Sequence, residues 1–261
     1  MRRRRPGDGD AGRAPELTPP LLLIAGLGQG AWAWRDVVPL LDRPAITFDN
    51  LGTGLLNGEP ARRTIAELAE DALAEVDEPA DMVGLSMGGY VAMTIALSKP
   101  DAVRRLVLAA TGAGGPRRVP RPKHVADAFT WALRLPYPEY ARKTMPYTFA
   151  AGWGERNPER FEEVLAARLE RPTPYSTIDA HAEACYAFYR AGCAVEGIAA
   201  PTLVIHGAED VIVPVENGRM LAARIPRARY VELGGRGHNL PLEDPGEFAR
   251  TVLAFMPRVD G

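Results

Sequence analysis

The chain has 261 residues, of which 46% are hydrophobic and 25% are charged. This is ordinary globular composition, and it excludes a collagen-like or largely disordered chain. The formal net charge of −2 provides no broad positive field, so nucleic acid is excluded as an expected partner.

The first sixteen residues differ from the rest of the chain. A basic run, Arg2 to Arg5, is followed by glycine, aspartate and proline, a composition that cannot bury apolar area. We therefore predict a disordered tail over residues 1–16. No apolar run of signal-peptide or membrane-span length follows, and the expected protein is cytoplasmic, without a membrane partner.

Apolar runs typical of strands alternate with helical stretches from residue 21 onward. Strands are predicted at 21–26, 45–49, 80–85, 105–110, 202–206 and 230–233. A helix-like stretch is predicted after Gly30 through residue 41, and further helices are predicted at 62–77, 88–98, 217–225 and 245–255. Asp244 precedes the last of these and Glu247 follows three residues later, which predicts a capping box.

Each predicted strand is a continuous apolar run, which is typical of a parallel sheet covered on both faces. The fold class is therefore α/β. Residues 115–197 interrupt the alternation with helical segments such as 158–171 and 175–191. We interpret 17–114 and 198–261 as the α/β core, and 115–197 as a helical cap.

The sequence Gly84-Leu85-Ser86-Met87-Gly88 lies between a predicted strand and a predicted helix. A serine flanked by glycines at this position is typical of a tight strand-turn-helix that exposes a nucleophilic hydroxyl. The glycines are needed because a Cβ at either position would collide with neighbouring backbone. Ser86 is the candidate nucleophile.

A serine nucleophile needs a base, and the base needs a carboxylate that orients it. Asp210 follows the predicted strand 202–206, and His238 follows the next strand, so both lie on loops. Glu209 is the competing carboxylate, disfavoured because a short side chain suits a tight turn. The other histidines are weaker candidates, His124 and His181 in the cap and His206 within a strand.

With these motifs the sequence resembles the α/β-hydrolase superfamily, and over residues 21–257 it is similar to the esterase, enol-lactonase and cofactor-free haloperoxidase group. The resemblance implies a mostly parallel, doubly wound sheet with a helical cap, and no cofactor. It also implies that the backbone amides of Leu27 and Met87 form an oxyanion hole. Ala25, Leu51 and Leu56 replace residues that are often polar in the family.

The cap holds 12 of the 19 aromatic residues of the chain. Such side chains can line an apolar substrate pocket, although about half of them are expected to serve packing alone. The candidate pocket residues are Trp131, Tyr137, Trp153, Tyr186 and Phe188.

Cys185 and Cys193 are too few for a disulfide framework. His181 and Cys185 have the spacing of two metal ligands on one helix face, but no further ligands cluster with them, so no metal site is expected.

We therefore predict a serine hydrolase that cleaves a small to medium, largely apolar carboxylic ester or lactone through an acyl-enzyme. Two alternatives stay open. One is elimination or lyase chemistry with the same Ser-His-Asp residues, and the other is a ligand-binding receptor that retains them. The sequence leaves the oligomeric state open.

Overall fold

The computed structural model describes residues 19–77 and 79–256, so the predicted tail over 1–16 lies outside the described residues. Six parallel strands form one sheet in the order β2-β1-β3-β4-β5-β6, as expected for a parallel α/β fold. The strands are β1 (Leu21–Ile24), β2 (Ala45–Thr47), β3 (Ala80–Leu85), β4 (Val103–Ala109), β5 (Thr202–Gly207) and β6 (Ala228–Leu233).

Helices accompany the sheet and fill the connection between β4 and β5. In the core they are α1 (Ile65–Leu73), α2 (Met87–Ser98), α8 (Val215–Arg224), α9 (Leu240–Glu243) and α10 (Pro245–Leu253). Between β4 and β5 they are α3 (Lys123–Ala132), α4 (Tyr137–Thr144), α5 (Trp153–Arg156), α6 (Pro158–Glu170) and α7 (Tyr175–Ala191).

The stretch after Gly30, predicted as one helix-like segment, is instead two short 3₁₀ turns, Ala31–Trp34 and Val38–Leu40. The second turn contains Pro39, which has no amide hydrogen with which to continue a helix. The first turn is stabilised by a residue outside it, because the Ala31 amide donates a hydrogen bond to Asp49 Oδ1 at 2.7 Å.

Both faces of the sheet are buried, and adjacent residues of one strand serve different faces. Leu22 and Ile24 of β1 pack into the hydrophobic cluster formed with α1, α2 and α8. Leu21 and Leu23 pack into a second cluster with Trp34 and with Phe248 of α10. Full burial of one such side chain contributes about 1.5–3 kcal/mol to the stability of the fold. Packing on both faces of the sheet therefore fixes the positions of the strand ends.

The predicted capping box at α10 forms only in part. Asp244 accepts a hydrogen bond from the Glu247 amide at 2.8 Å, as expected of an N-cap. The Glu247 carboxylate does not return to the Asp244 amide but binds Arg236 Nε at 2.8 Å. A complete box occurs at α1 instead, between Thr64 and Glu67.

The helices between β4 and β5, hereafter the cap (α3 to α7), pack on the core through apolar clusters. Phe149, Trp153 and Leu165 of the cap surround Leu242 of α9. Ile178 and Tyr140 contact Leu27, which follows β1. The cap therefore rests on the loops at the carboxyl ends of the strands.

The close approach of α2 to β1 generates a stability prediction. A Cβ at Gly88 would lie 2.1 Å from the Ile24 carbonyl oxygen, which belongs to rigid backbone. We expect Gly88→Ala to lower the free energy of unfolding by at least about 3 kcal/mol, measured by urea denaturation. Gly58→Ala is the control, since no atom lies within 4 Å of its added Cβ. Equal stability of the two variants would contradict the proposed steric constraint.

Candidate active site

Ser86 occupies a strained turn between β3 and α2. Its φ of 56° and ψ of −113° lie outside the regions that L-residues favour, and among the described residues only Ala110 shares a positive φ without being glycine. Such strain costs about 1–3 kcal/mol and persists only where the surroundings enforce it. Here the Ser86 amide donates to Ala109 O at 2.8 Å, while Ser86 O accepts from the Thr111 hydroxyl at 2.9 Å.

Glycines make the Ser86 turn possible. A Cβ at Gly84 would lie 2.3 Å from the Gly88 carbonyl oxygen, so no larger residue fits there. Gly26, in the loop after β1, lies against the serine, because its added Cβ would be 3.5 Å from Ser86 Cβ. The hydroxyl-bearing residue is thereby placed at the carboxyl edge of the sheet.

The structure brings Asp210 and His238 together. His238 Nδ1 lies 2.7 Å from Asp210 Oδ2, and both residues are almost fully buried, with exposed fractions of 6% and 5%. The other carboxylate oxygen of Asp210 accepts the amides of Ile212 and Val213 at 2.8 and 2.9 Å. Both loops follow neighbouring parallel strands, β5 and β6, and so meet at the edge where Ser86 lies.

The environment of Asp210 keeps its carboxylate ionised. Burial alone would raise the pKa of this carboxyl, but the imidazoles of His238 and His206 outweigh burial and hold the pKa well below its usual value. An ionised carboxylate only accepts hydrogen bonds, so His238 Nδ1 carries a proton and donates it in a hydrogen bond to Asp210, which leaves Nε2 of a neutral ring as an acceptor. This is the tautomer a general base needs.

His206, predicted to lie within a strand, lies in β5 and contacts the Asp210 carboxylate. Its Nε2 lies 2.8 Å from Val213 O and 3.2 Å from Asp210 Oδ2. Because a carbonyl only accepts, Nε2 carries the proton. Gly218 permits this packing, since a Cβ there would lie 2.2 Å from His206 Nδ1.

The competing candidates lie apart from this pair. Glu209 is exposed, and its carboxylate accepts the Ala151 amide of the cap at 3.1 Å. His124 is exposed on α3. Of the two adjacent carboxylates, Asp210 is therefore the one that contacts a histidine.

The Ser86 hydroxyl makes no hydrogen bond with the described residues, so the structure does not join it to His238. Hydrogen bonds between nucleophile and base are commonly long in the absence of substrate. The serine is only partly buried, whereas Asp210 and His238 are both buried.

The loop after β1 is held by the cap on both sides of Gly28. The Gly28 amide donates to His181 Nδ1 at 3.3 Å, and the Thr173 hydroxyl donates to Gly28 O at 2.8 Å. Leu27 and Met87, predicted from the resemblance as oxyanion donors, have amides without a hydrogen-bond partner among the described residues. These two N–H groups are free to receive an oxygen atom.

The His238 loop is also tied to the cap. The amides of His238 and Asn239 both donate to Thr148 O, at 3.0 and 2.8 Å. Glu243 accepts the Gly237 amide at 2.8 Å and the Ala150 amide at 3.2 Å, and burial raises the pKa of its carboxyl. In the sequence, this interaction is indicated only by Glu243, a carboxylate at the end of an otherwise apolar segment, 240–243.

The predicted pocket residues fall into two groups. Trp131 on α3 and Tyr186 on α7 are 51% and 62% exposed. Trp153 is buried but stacks on Phe149 at 4.3 Å, which is packing within the cap. Phe188 stacks on Tyr90 of α2 at 4.4 Å, and Tyr137 packs near Tyr140.

Three cavities of about 350, 360 and 180 Å³ lie away from Ser86. They are lined respectively by residues around Arg250, around Pro60 and around Met220. The Asp210–His238 pair is instead covered by the cap.

Within residues 19–77 and 79–256, no cluster of three or more histidine, cysteine or acidic side chains has the arrangement of a metal site. Burial raises the pKa of Cys185 to about 12, so its thiol stays protonated. Over the same residues, no helix combines the length and hydropathy that crossing a bilayer requires.

Comparison with known proteins places the chain in a family. The model of the alpha/beta hydrolase family matches residues 21–251, and the chain therefore belongs to that family.

Named relatives extend over nearly the whole chain. RutD of Caulobacter vibrioides, which carries an unproven designation as a carbamate hydrolase, is 28% identical over 90% of this chain and 89% of its own. The 2-hydroxymuconate semialdehyde hydrolase of Pseudomonas sp. strain CF600 is 31% identical over 92% and 88%. The solved enol-lactonase of Burkholderia xenovorans LB400 is 29% identical, with a TM-score of 0.75 and coverage of 94% and 93%.

The buried His181 generates a pH prediction. Burial lowers the pKa of His181 to about 4 from 6.5, so the unfolded chain binds a proton in this window that the folded chain does not. Stability must therefore fall as the pH falls from about 6.5 toward 4. We expect this histidine to contribute about 2 kcal/mol of the loss between pH 7 and pH 5.

His181→Asn, which keeps an acceptor near the Gly28 amide, should remove that part of the pH dependence in urea denaturation. His124→Asn is the matched control, because His124 is an exposed histidine of the same cap. If His181→Asn and wild type lose equal stability between pH 7 and pH 5, the assignment of a neutral buried ring is wrong.

Proposed function

We propose that this member of the alpha/beta hydrolase family is a serine hydrolase that cleaves a small to medium, largely apolar carboxylic ester or lactone through an acyl-enzyme. The observation that carries the proposal is the 2.7 Å contact between His238 Nδ1 and the buried Asp210 carboxylate, at the sheet edge that also presents the strained Ser86. The similarity to a solved enol-lactonase supports a lactone or ester as the substrate class.

In the proposed reaction Ser86 Oγ attacks the carbonyl carbon of the substrate, and His238 Nε2 takes the hydroxyl proton. Asp210 remains ionised, keeps the Nδ1–H tautomer and stabilises the imidazolium that forms. The low pKa of Asp210 suits this role, since a carboxylate that protonated easily would lose the orienting hydrogen bond.

The tetrahedral intermediate needs donors for its oxyanion. The free amides of Leu27 and Met87 supply them, and Met87 is the first residue of α2, where the helix dipole adds positive potential. His238 then protonates the leaving alcohol, and a water attacks the acyl-enzyme to release the acid and Ser86.

The cap favours hydrolysis of a mainly apolar substrate. Leu27 beside the candidate oxyanion hole packs against Ile178 and Tyr140, and Phe188 covers Tyr90 of α2. These apolar contacts beside Leu27 and on α2 support a mainly apolar substrate.

The acyl-enzyme has a direct test with 4-nitrophenyl butyrate. We expect a burst of nitrophenolate equal to the enzyme concentration, a mass adduct on the peptide containing Ser86, and loss of both in Ser86→Ala. Turnover in oxygen-18 water must place one labelled oxygen in the acid. With 2-phenylethyl butyrate, whose alcohol carries a β-hydrogen, unlabelled butyrate together with styrene would favour elimination, and binding without turnover of either ester would favour a receptor.

The adjacent carboxylates provide a matched pair for testing the acid. Asp210→Asn should lower kcat by about 10³-fold or more, because the amide no longer enforces the His238 tautomer. Glu209→Gln, which alters only a hydrogen bond to the cap, should change kcat less than about threefold. Thermal melting verifies that both variants fold. Reversed results would transfer the role to Glu209.

A further inference from the structure

His181 of α7 lies against the loop that carries the candidate oxyanion donor Leu27. Its Nδ1 accepts the Gly28 amide at 3.3 Å, and its side chain is completely buried. Burial lowers the pKa of His181 to about 4, so the ring is neutral at pH 7. Because Nδ1 of this neutral ring accepts, its proton is on Nε2. The cap thus presents an acceptor to the peptide group that follows Leu27.

The second ring nitrogen of His181 has no partner. Nε2 is buried and makes no hydrogen bond with the described residues. A buried donor without an acceptor destabilises the folded state, and an apolar side chain would fill the same space without that cost. Packing alone therefore does not account for a histidine here. What the imidazole adds over an apolar side chain is its hydrogen bond with the Gly28 amide.

This hydrogen bond is made to the centre of a tight turn. The Gln29 amide closes the turn by donating to Gly26 O at 3.1 Å, and Gly28 at the third position has a φ of 65°. A positive φ at the third position alone is typical of a type II turn, which differs from type I by a flip of the central peptide group. That group joins Leu27 to Gly28, and its N–H is the one that His181 accepts.

The same turn connects the surroundings of Ser86 with the cap. On one side, a Cβ on Gly26 would lie 3.5 Å from Ser86 Cβ, and Leu27 is the next residue. On the other side, a Cβ on Gly28 would lie 3.8 Å from Thr173 Cγ2, and the Thr173 hydroxyl donates to Gly28 O at 2.8 Å. Both peptide groups that follow Leu27 are therefore bound to the cap, while the preceding residue contacts the serine.

We propose that His181 is a positioning residue for the oxyanion hole, which fixes the turn conformation in which the Leu27 amide donates to the oxyanion formed at Ser86. This proposal rests on the proposed function. The Leu27 amide has no hydrogen-bond partner among the described residues, so the conformation of the turn sets its direction. A donor that is already oriented stabilises a developing oxyanion without reorganisation, and a donor on a mobile turn loses this advantage.

Three substitutions of His181 separate its acceptor from its packing. In His181→Asn the side-chain Oδ1 takes the place of Nδ1, so an acceptor for the Gly28 amide is retained. In His181→Gln the amide group lies one bond further out, near the position of Nε2, so the space is filled without that acceptor. His181→Leu fills the space with apolar atoms only. Thermal melting verifies that each variant folds, and the comparison of asparagine with glutamine decides the question if the leucine variant does not.

The first measurement is hydrolysis of 4-nitrophenyl butyrate. We expect His181→Gln and His181→Leu to lower kcat by about 10- to 100-fold and to change KM less than about threefold, because the oxyanion exists only after attack on the carbonyl. His181→Asn should lower kcat less than about threefold. His124→Gln is the control and should leave kcat unchanged, because His124 is an exposed histidine of the cap.

The second measurement is inhibition by butyl trifluoromethyl ketone, which adds to a serine hydroxyl and forms a tetrahedral adduct with an oxyanion. The inhibition constant should rise by about the same factor as kcat falls in His181→Gln and His181→Leu, and should stay near the wild-type value in His181→Asn. A role in stability alone would reduce the amount of folded enzyme, but it would leave the inhibition constant of the folded enzyme unchanged.

The outcomes distinguish this proposal from the proposed function. Wild-type kcat in His181→Gln and His181→Leu, equal losses in His181→Asn and His181→Gln, or a loss of kcat at an unchanged inhibition constant would each overturn the positioning role and leave the hydrolase proposal standing. If wild type neither turns over the ester nor reacts with a fluorophosphonate at Ser86, the serine hydrolase proposal fails, and the role of His181 in its oxyanion hole fails with it.

Discussion

The arrangement at the sheet edge depends on one buried anion. Asp210 is surrounded by four donors, two of them imidazoles and two of them backbone amides of its own loop. Desolvating a carboxylate is expensive, and only this complete set of partners makes the charged form stable. The same hydrogen bonds define the loop conformation after β5, the orientation of His238 and the packing of His206 against Gly218. Removing any one of them leaves a charge that the interior cannot solvate.

The cap contributes hydrogen bonds to the loops at the sheet edge as well as covering them. Thr148 O receives two amides of the His238 loop, and His181 and Thr173 hold the peptide groups around Gly28. Most of these bonds join a side chain or carbonyl of the cap to backbone of the core. Because backbone groups are common to every sequence, the cap can diverge between relatives while the loop geometry is retained, provided that donors and acceptors stay in place.

The sheet and the candidate acid and base could be predicted because local sequence determines them. Continuous apolar runs are typical of buried parallel strands. The glycines around Ser86 are predictive because a Cβ at Gly84 or Gly88 would collide with backbone of the turn. Other features depend on distant partners that no local pattern encodes. The role of His181 requires an amide 153 residues earlier in the chain, and Glu247 leaves its predicted capping partner because Arg236 binds it. The exposure of Trp131 and Tyr186 is a further example, because aromatic composition carries no information on which face of a helix is exposed to solvent.

The ties between the cap and both loops bear on how independently these parts of the chain can move. The Gly28 loop is hydrogen-bonded to His181 and Thr173, and the His238 loop to Thr148, so displacing the cap breaks bonds of both loops. Opening of the cap and loosening of the two loops therefore belong to one cooperative unit. Amide hydrogen exchange at Gly28 and His238 then reports the opening of the cap as well as that of their own loops.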